Sequence, residues 1–255
     1  KKRIILIAGP SSSGKTTFAQ RLCIQLRVNG LNPLYMGTDD YFVEREETPL
    51  DEFGEKDFEN LAAVDIGLFN RNMNDLLAGK EVDIPRFDFK EGRKYFEGRM
   101  MQLHEKDILI MEGIHALNPA MIPDVDNSKV FRVYASALTS LSLDENNNIS
   151  TSDNRMLRRM IRDNRTRGIN PEKTINMWQS VRRGENRNIF PFQEQADAMI
   201  NSALIYELAI LKVYAEPLLF GIDKNEPEYQ EAKRLLKFFD YFVPIPSEEV
   251  PNNSI

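Results

Sequence analysis

Residues 4–17 read IILIAGPSSSGKTT: an apolar run ending at Gly9, a loop of proline, serines and a second glycine, then a Lys-Thr pair that opens a helix-forming stretch. A flexible linker has no need of a strand that stops at its first glycine, or of Lys15 and Thr16 after its last. Gly9, Gly14, Lys15 and Thr16 match the pattern G-x-x-x-x-G-K-[ST], with a strand before it and a helix after it. In such a loop the glycines permit a tight path, and successive backbone N–H groups point inward at a helix N-terminus, a ready site for phosphate. Ser11, Ser12, Ser13 and Thr17 belong to the same cradle, Lys15 reaches the terminal phosphates, and the Thr16 hydroxyl is the expected magnesium ligand.

Outward from this loop, short apolar runs alternate with helical patterns, the grammar of a parallel sheet flanked by helices. Strands are expected at residues 3–9, 33–38, 82–87, 107–113, 129–136 and 196–201, and helices at 15–28, 65–78, 154–167, 171–181, 204–216 and 228–239. Pro217 and Gly221 mark the break between the last two helices. The polar stretches TPLDEFGEKD (48–57) and DENNNISTSD (144–153) read as surface loops, and there is no internal repeat.

A chain of 255 residues with 42% hydrophobic and 28% charged side chains suits one large domain, or one domain with an appendage. It has no apolar run near the roughly 18 residues that cross a bilayer, so no membrane partner is expected. The single cysteine, Cys23, excludes an internal disulfide and fits a reducing, cytoplasmic setting; in AQRLCIQL it reads as a core residue of a helix. Two histidines are too few to anchor zinc. The net charge of −6 argues against nucleic acid as the main partner, yet residues 153–187 hold ten Arg or Lys against four Asp or Glu, which points to an anionic ligand there.

A phosphate loop alone specifies a nucleotide, not a reaction. The Asn-Lys-x-Asp motif of a GTPase is absent, and the one Asp-x-x-Gly match, Asp51–Gly54, lies in a charged loop. Instead Asp39 and Asp40 follow the second strand, at the sheet edge where ligands of such folds bind. A carboxylate there can accept a proton from a hydroxyl or hold a metal; for Asp40 a turn or cap role competes. Glu112 ends a further apolar strand, ILIMEG (108–113), where such enzymes place an acid beside magnesium. At 100° per residue, Arg155, Arg158, Arg159, Arg162 and Arg165 share about a third of a helix, with Met156, Leu157, Met160 and Ile161 opposite. Mobile arginines of that kind stabilise the charge of phosphoryl transfer, although an arginine-rich face is equally well a solvated surface.

With these motifs in view the chain resembles the uridine kinase and phosphoribulokinase family of P-loop kinases, in its nucleoside kinase branch. The likeness spans residues 3–202 and rests on GPSSSGKTT, TDDYF (38–42), DFENLAAVD (57–65), VDIPRFDF (82–89), the strand ending in Glu112-Gly113, DNRMLRRMIRD (153–163) with RTRG after it, and QADAMI (195–200). The resemblance implies an α/β fold with an arginine-bearing lid at about 153–190, ATP and Mg2+ as cofactors, and a small-molecule acceptor. It makes Asp39 the base for a nucleoside 5′-hydroxyl, and Lys15 and Arg162 its catalytic partners. Glu59, Phe87 and Arg159 would sit at the acceptor, Arg162 and Arg167 on the phosphates, and Thr16, Asp39 and Glu112 around magnesium.

Four positions depart from the family. Phe87 and Gly92 stand where uridine-cytidine kinases carry a tyrosine and a histidine that read the base, and Ile169 and Met177 replace two further polar contacts. The space left by Gly92 would admit a purine, or an acceptor with no base, so a broad or shifted acceptor profile is expected. Residues 203–255 read as a helical extension packed on a kinase domain of residues 1–202. They resemble a bacterial branch with an additional amino-terminal domain related to those of tRNA synthetases. A kinase for another alcohol, of the sugar phosphate or pantothenate type, and a nucleotide-switched RNA-associated regulator remain as alternatives, and homo-oligomerisation stays open.

Overall fold

The structure is a computed structural model that describes residues 2–122, 125–139, 142–145, 148–251 and 254. Part of the loop expected at 144–153, Asn146 and Asn147, lies outside the described residues. In chain order the elements are β1 (Ile4–Ala8), α1 (Lys15–Val28), β2 (Asn32–Gly37), α2 (Ile66–Leu77), β3 (Glu81–Asp83), β4 (Arg86–Asp88), β5 (Arg93–Tyr95), β6 (Met100–Gln102), β7 (Asp107–Glu112), β8 (Val130–Ser136), α3 (Thr151–Arg167), α4 (Pro171–Asn188), β9 (Ala198–Asn201), α5 (Glu207–Phe220) and α6 (Tyr229–Phe239). They fall into two compact units. One comprises Lys1–Pro10, Gly14–Ser136 and Ser180–Ile200; the other comprises Ser11–Ser13, Ala137–Gln179 and Asn201–Ile255.

The first unit holds a five-stranded sheet of order β2-β7-β1-β8-β9, with β2, β7, β1 and β8 paired in parallel. Apolar runs without polar alternation form it because both of its faces are covered. Ile4, Leu6 and Ala8 of β1 and Leu109 and Met111 of β7 join the larger core with Phe69, Met73 and Leu76 of α2. Ile7 and Ile110 point to the opposite face, onto Ala19 and Cys23 of α1. Cys23 is the buried core residue that its helical setting implied, and burial pushes its thiol pKa up. Ile4, Leu6 and Leu109 are among the largest fully buried side chains, each contributing roughly 1.5–3 kcal/mol by burial.

The single strand expected at 82–87 does not exist in that form. Pro85, which has no N–H to give a ladder, falls between β3 and β4, which pair antiparallel with β6 and β5 respectively. Two small antiparallel sheets, the β4-β5 hairpin and the β3-β6 pair that flanks it in the chain, thus replace one strand. The C-terminal half of α4 also extends beyond the expected Val181, to Asn188.

In the second unit, α3 packs on α5 and α5 on α6. The helix α3 starts at Thr151 rather than Asn154 because the Ser150 hydroxyl caps it, accepting from the Asp153 N–H at 3.3 Å. Pro217 does not end the fifth helix, which runs through it to Phe220. The carbonyl that loses its N–H partner there belongs to Val213, a residue 40% exposed, so water can take the lost donor's place. The fifth helix and the end of the last one are tied by Lys212 of α5, whose ammonium donates to the carbonyls of Phe239 at 2.8 Å and Phe242 at 3.0 Å. Among the described residues no helix is long and apolar enough to cross a membrane.

Candidate active site

The phosphate loop has the backbone its glycines allow. Gly9 and Gly14 adopt φ of 150° and 82°, and Ser12, at φ 58°, is the one non-glycine with positive φ among the described residues. A serine held there is strained by about 1–3 kcal/mol, and such strain persists where the surroundings over-determine it. The Ser12 and Ser13 hydroxyls are buried without a hydrogen-bond partner. Orphaned hydroxyls in a nest ahead of α1 are the donors a phosphate would take up. Within the second unit this stretch is held from α3 and from the residue after β9: Arg158 donates to the Ser12 carbonyl at 3.2 Å, Arg159 to the Ser11 hydroxyl at 3.2 Å, and the Ser202 hydroxyl to the Ser13 carbonyl at 2.6 Å.

In the first unit the start of α1 meets the end of β7. The Thr16 hydroxyl and the Tyr35 phenol both donate to Oε2 of Glu112, each at 3.0 Å, while Lys15 Nζ lies 3.9 Å from Oε1 and donates to the Pro10 carbonyl at 3.1 Å. Burial, reinforced by the charge of Asp39 and opposed by Lys15, raises the Glu112 pKa. Burial and the neighbouring carboxylate push the Tyr35 phenol far above its usual range, so it stays a donor. Gly113 has no alternative here: a Cβ on it would lie 1.7 Å from the Thr38 hydroxyl, so the strand ends can meet only without a side chain. Oxygen donors on Thr16 and Glu112 suit a hard cation such as magnesium, which binds through one or two protein oxygens and substrate phosphates. No group of three or more His, Cys, Asp or Glu placed to hold a metal occurs among the described residues.

Asp39 and Asp40 lie in the helical turn Thr38–Tyr41 directly after β2, and the structure separates them. Asp40 is committed to Arg99 at 2.9 Å, with burial raising its pKa against the opposing effect of Arg99. Glu59 and Asp57 are buried against α4. A Cβ on Gly184 would stand 2.6 Å from Cβ of Glu59 and 3.0 Å from a carboxylate oxygen of Asp57. Arg183 and Ser180 on the same helix both reach Oδ2 of Asp51 at 2.9 Å, and Arg183 lies 4.4 Å over the Phe53 ring. Gly184→Ala is therefore expected to lower stability by about 1–2 kcal/mol, overpacking outweighing the better helix propensity of alanine. Thermal melting reads it, and a melting temperature above wild type would show that the acidic loop yields freely.

Phe87 packs edge-to-face with Phe42 and Phe89, at ring separations of 5.7 and 5.2 Å. The space expected at Gly92 is not open. Gly92 has φ 74°, and a Cβ there would stand 2.6 Å from Arg45 Nε, because the Arg45 side chain fills that position. The Arg45 guanidinium is spent on the carbonyls of Phe89 and Lys90. Room for a purine thus finds no support at this glycine.

The arginine helix is not a single solvated binding face. Arg155, 1% exposed, stacks 5.4 Å over Trp178 in the core of its unit, and Arg158 forks onto Glu207 at 2.7 Å. Arg159, Arg162 and Arg167 converge on the fully buried Asp163, at 3.2, 2.7 and 3.6 Å. Asp163 and Glu207 were not singled out by sequence reasoning. The i, i+4 spacing of Arg159 and Arg167 about Asp163 was a readable signal for the first, and nothing local pointed to the second.

His115 was also passed over. It is 1% exposed, neither ring nitrogen makes a hydrogen bond of good geometry, and the backbone of Asn60 and Asn188 faces it. Burial lowers its pKa to about 4. An unfolded histidine, near 6.5, then binds a proton over a range where the folded one does not, so stability drops as pH falls from about 6.5 to about 4. Wild type is expected to lose up to about 3 kcal/mol more than His115→Asn across that window, measured by denaturant titration at each pH. Parallel curves for the two proteins would refute this.

A parallel sheet with a phosphate loop between its first strand and helix, and an acid of a neighbouring strand beside the loop lysine, defines the class of P-loop nucleotide-binding proteins. The phosphoribulokinase / uridine kinase family matches residues 4–208, and the chain belongs to it. The uridine kinase of Staphylococcus aureus (strain JH9) is 30% identical over 199 residues, covering 77% of this chain and 86% of its own, as is that of strain Newman. The structure of a possible uridine kinase from Bacillus stearothermophilus superposes with a TM-score of 0.51 at 19% identity, covering 78% of this chain and 89% of that one. The YGR205w protein does so with a TM-score of 0.51 at 14% identity, covering 76% and 81%. Membership makes this chain a phosphotransferase of a kinase family that uses ATP.

Proposed function

We propose that this protein transfers the γ-phosphoryl group of ATP to a hydroxyl of a small acceptor, the 5′-hydroxyl of a nucleoside. The observation that carries this is the buried Glu112, shared by Thr16 and Lys15 at the phosphate loop, with Asp39 on the adjoining strand end. In this reading Asp39 accepts the acceptor's hydroxyl proton as its oxygen bonds to the γ-phosphorus, and the bond to the bridging oxygen breaks to leave ADP. Gly9, Ser11, Ser12, Ser13, Gly14 and Thr17 cradle the phosphates with Lys15. Arg162 and Arg167 offset charge on the transferred group once they leave Asp163. Glu59, Phe87 and Arg159 contact the acceptor. Magnesium, held by Thr16 with Asp39 and Glu112, would neutralise phosphate charge.

A domain of residues 1–202 followed by a helical extension is kept as part of the proposal, supported by a family match that ends at residue 208. A cytoplasmic setting is supported by the lone buried Cys23. The alternative of an RNA-associated regulator loses ground, since many arginines of its basic segment are neutralised within their own units, by Asp163, Glu207 and Asp51.

The test is an acceptor panel with ATP: uridine, cytidine, adenosine, guanosine, inosine, a sugar phosphate and pantothenate, read as acceptor-dependent ADP release. Phosphorylation of a nucleoside above the other alcohols is expected. ATP hydrolysis indifferent to every acceptor, with salt-dependent RNA binding, would favour the regulator.

A further inference from the structure

Tyr35 stands outside the set of groups assigned above, yet its phenol is aimed at Glu112. On β2 it lies opposite Ile110 of β7, and Gly37 lies opposite Glu112. Residues two apart on a strand share a face, so Tyr35 and Gly37 look onto the α1 side of the sheet, as Glu112 does. The phenol leans along β2 towards the strand's end and passes over Gly37. A Cβ on Gly37 would stand 3.3 Å from the Tyr35 hydroxyl and 3.8 Å from Cζ. The missing side chain is what leaves the phenol its path to the carboxylate.

Oε2 of Glu112 therefore carries two donors, Tyr35 and Thr16, at 3.0 Å each. A carboxylate oxygen with two donors is saturated, and the carboxyl plane can no longer rotate freely. Oε1 is the oxygen turned to Lys15. A Thr16 hydroxyl whose proton is held by Oε2 keeps its lone pairs available to a cation.

We propose that Tyr35 is a positioning residue for the divalent cation: it orients Glu112, and through Glu112 the Thr16 hydroxyl. This rests on the reading of Thr16 and Glu112 as the magnesium site. Partners of that kind behind a metal ligand change metal affinity by about 10–100-fold when removed.

The test measures binding, not turnover: a fluorescent ADP analogue is titrated at increasing MgCl2 with wild type, Tyr35→Phe, Gly37→Ala, Glu112→Gln and the Tyr35→Phe/Glu112→Gln double variant. Tyr35→Phe is expected to raise the Mg2+ concentration for half-maximal enhancement of binding by about tenfold. Binding without Mg2+ and the melting temperature should stay near wild type. Gly37→Ala should shift the Mg2+ requirement in the same direction by less, which keeps the proposal open to refutation should Tyr35→Phe fold poorly. The double variant should be no worse than Glu112→Gln alone, because Tyr35 acts through that carboxylate. A wild-type Mg2+ requirement in Tyr35→Phe, with a raised one in Glu112→Gln, would overturn the role of Tyr35 alone. An unchanged requirement in both would overturn the magnesium site itself, and this inference with it.

Discussion

Asp39→Asn is expected to lower kcat by two to four orders of magnitude, the usual effect of removing a general base, while nucleotide binding measured without Mg2+ stays near wild type. Asn keeps the volume of Asp39 in the turn after β2 and removes its capacity to take a proton, together with its negative charge at the proposed magnesium site. The control is its neighbour. Asp40 is bound to Arg99 at 2.9 Å, so it has no free role at the acceptor. Asp40→Asn should retain most of the turnover and instead lose stability, since it leaves a half-buried guanidinium without its counter-charge. Single-turnover rates and melting curves for both variants separate the two roles. A larger rate loss at Asp40 would move the base by one position.

Lys15→Ala is expected to reduce turnover by at least two to three orders of magnitude, the scale of removing one preorganised charge from the transition state. The sequence presents Lys15 as a charge at the phosphates with no part in packing, so an intact fold would follow. The structure changes that expectation. Lys15 is 7% exposed and stands 3.9 Å from the buried Glu112. Its removal leaves that carboxylate without its cation, so a stability loss on the order of 1–3 kcal/mol should accompany the rate loss. It is smaller than for a tight pair, because the separation is long and Glu112 can take up a proton. Calorimetry beside single-turnover kinetics checks both, and turnover near wild type would remove the phosphate-loop assignment.

Most of the sheet was legible because its strands are apolar runs buried on both faces, and such runs need no partner to be recognised. The two small antiparallel sheets at residues 81–102 were not, because strands of three residues carry too little period and Pro85 sits between two of them. Phosphate-loop residues declared themselves through spacing, since a nest for phosphate is a local backbone path.

Sequence by itself determined the class: a strand, a glycine-rich loop, Lys15-Thr16 and a helix admit one backbone solution around a phosphate. Acids at the strand ends were placed by the same local logic. Tertiary structure alone decided which of two adjacent aspartates is committed to an arginine, that Arg45 fills the place beside Gly92, and that three arginines of α3 gather on Asp163. It also decided that Tyr35 reaches Glu112 across 77 residues of chain. The physical reason is that a loop's path depends on its own dihedral angles, whereas the partner of a charge depends on which strands lie side by side. That pairing is set by burial over the whole sheet.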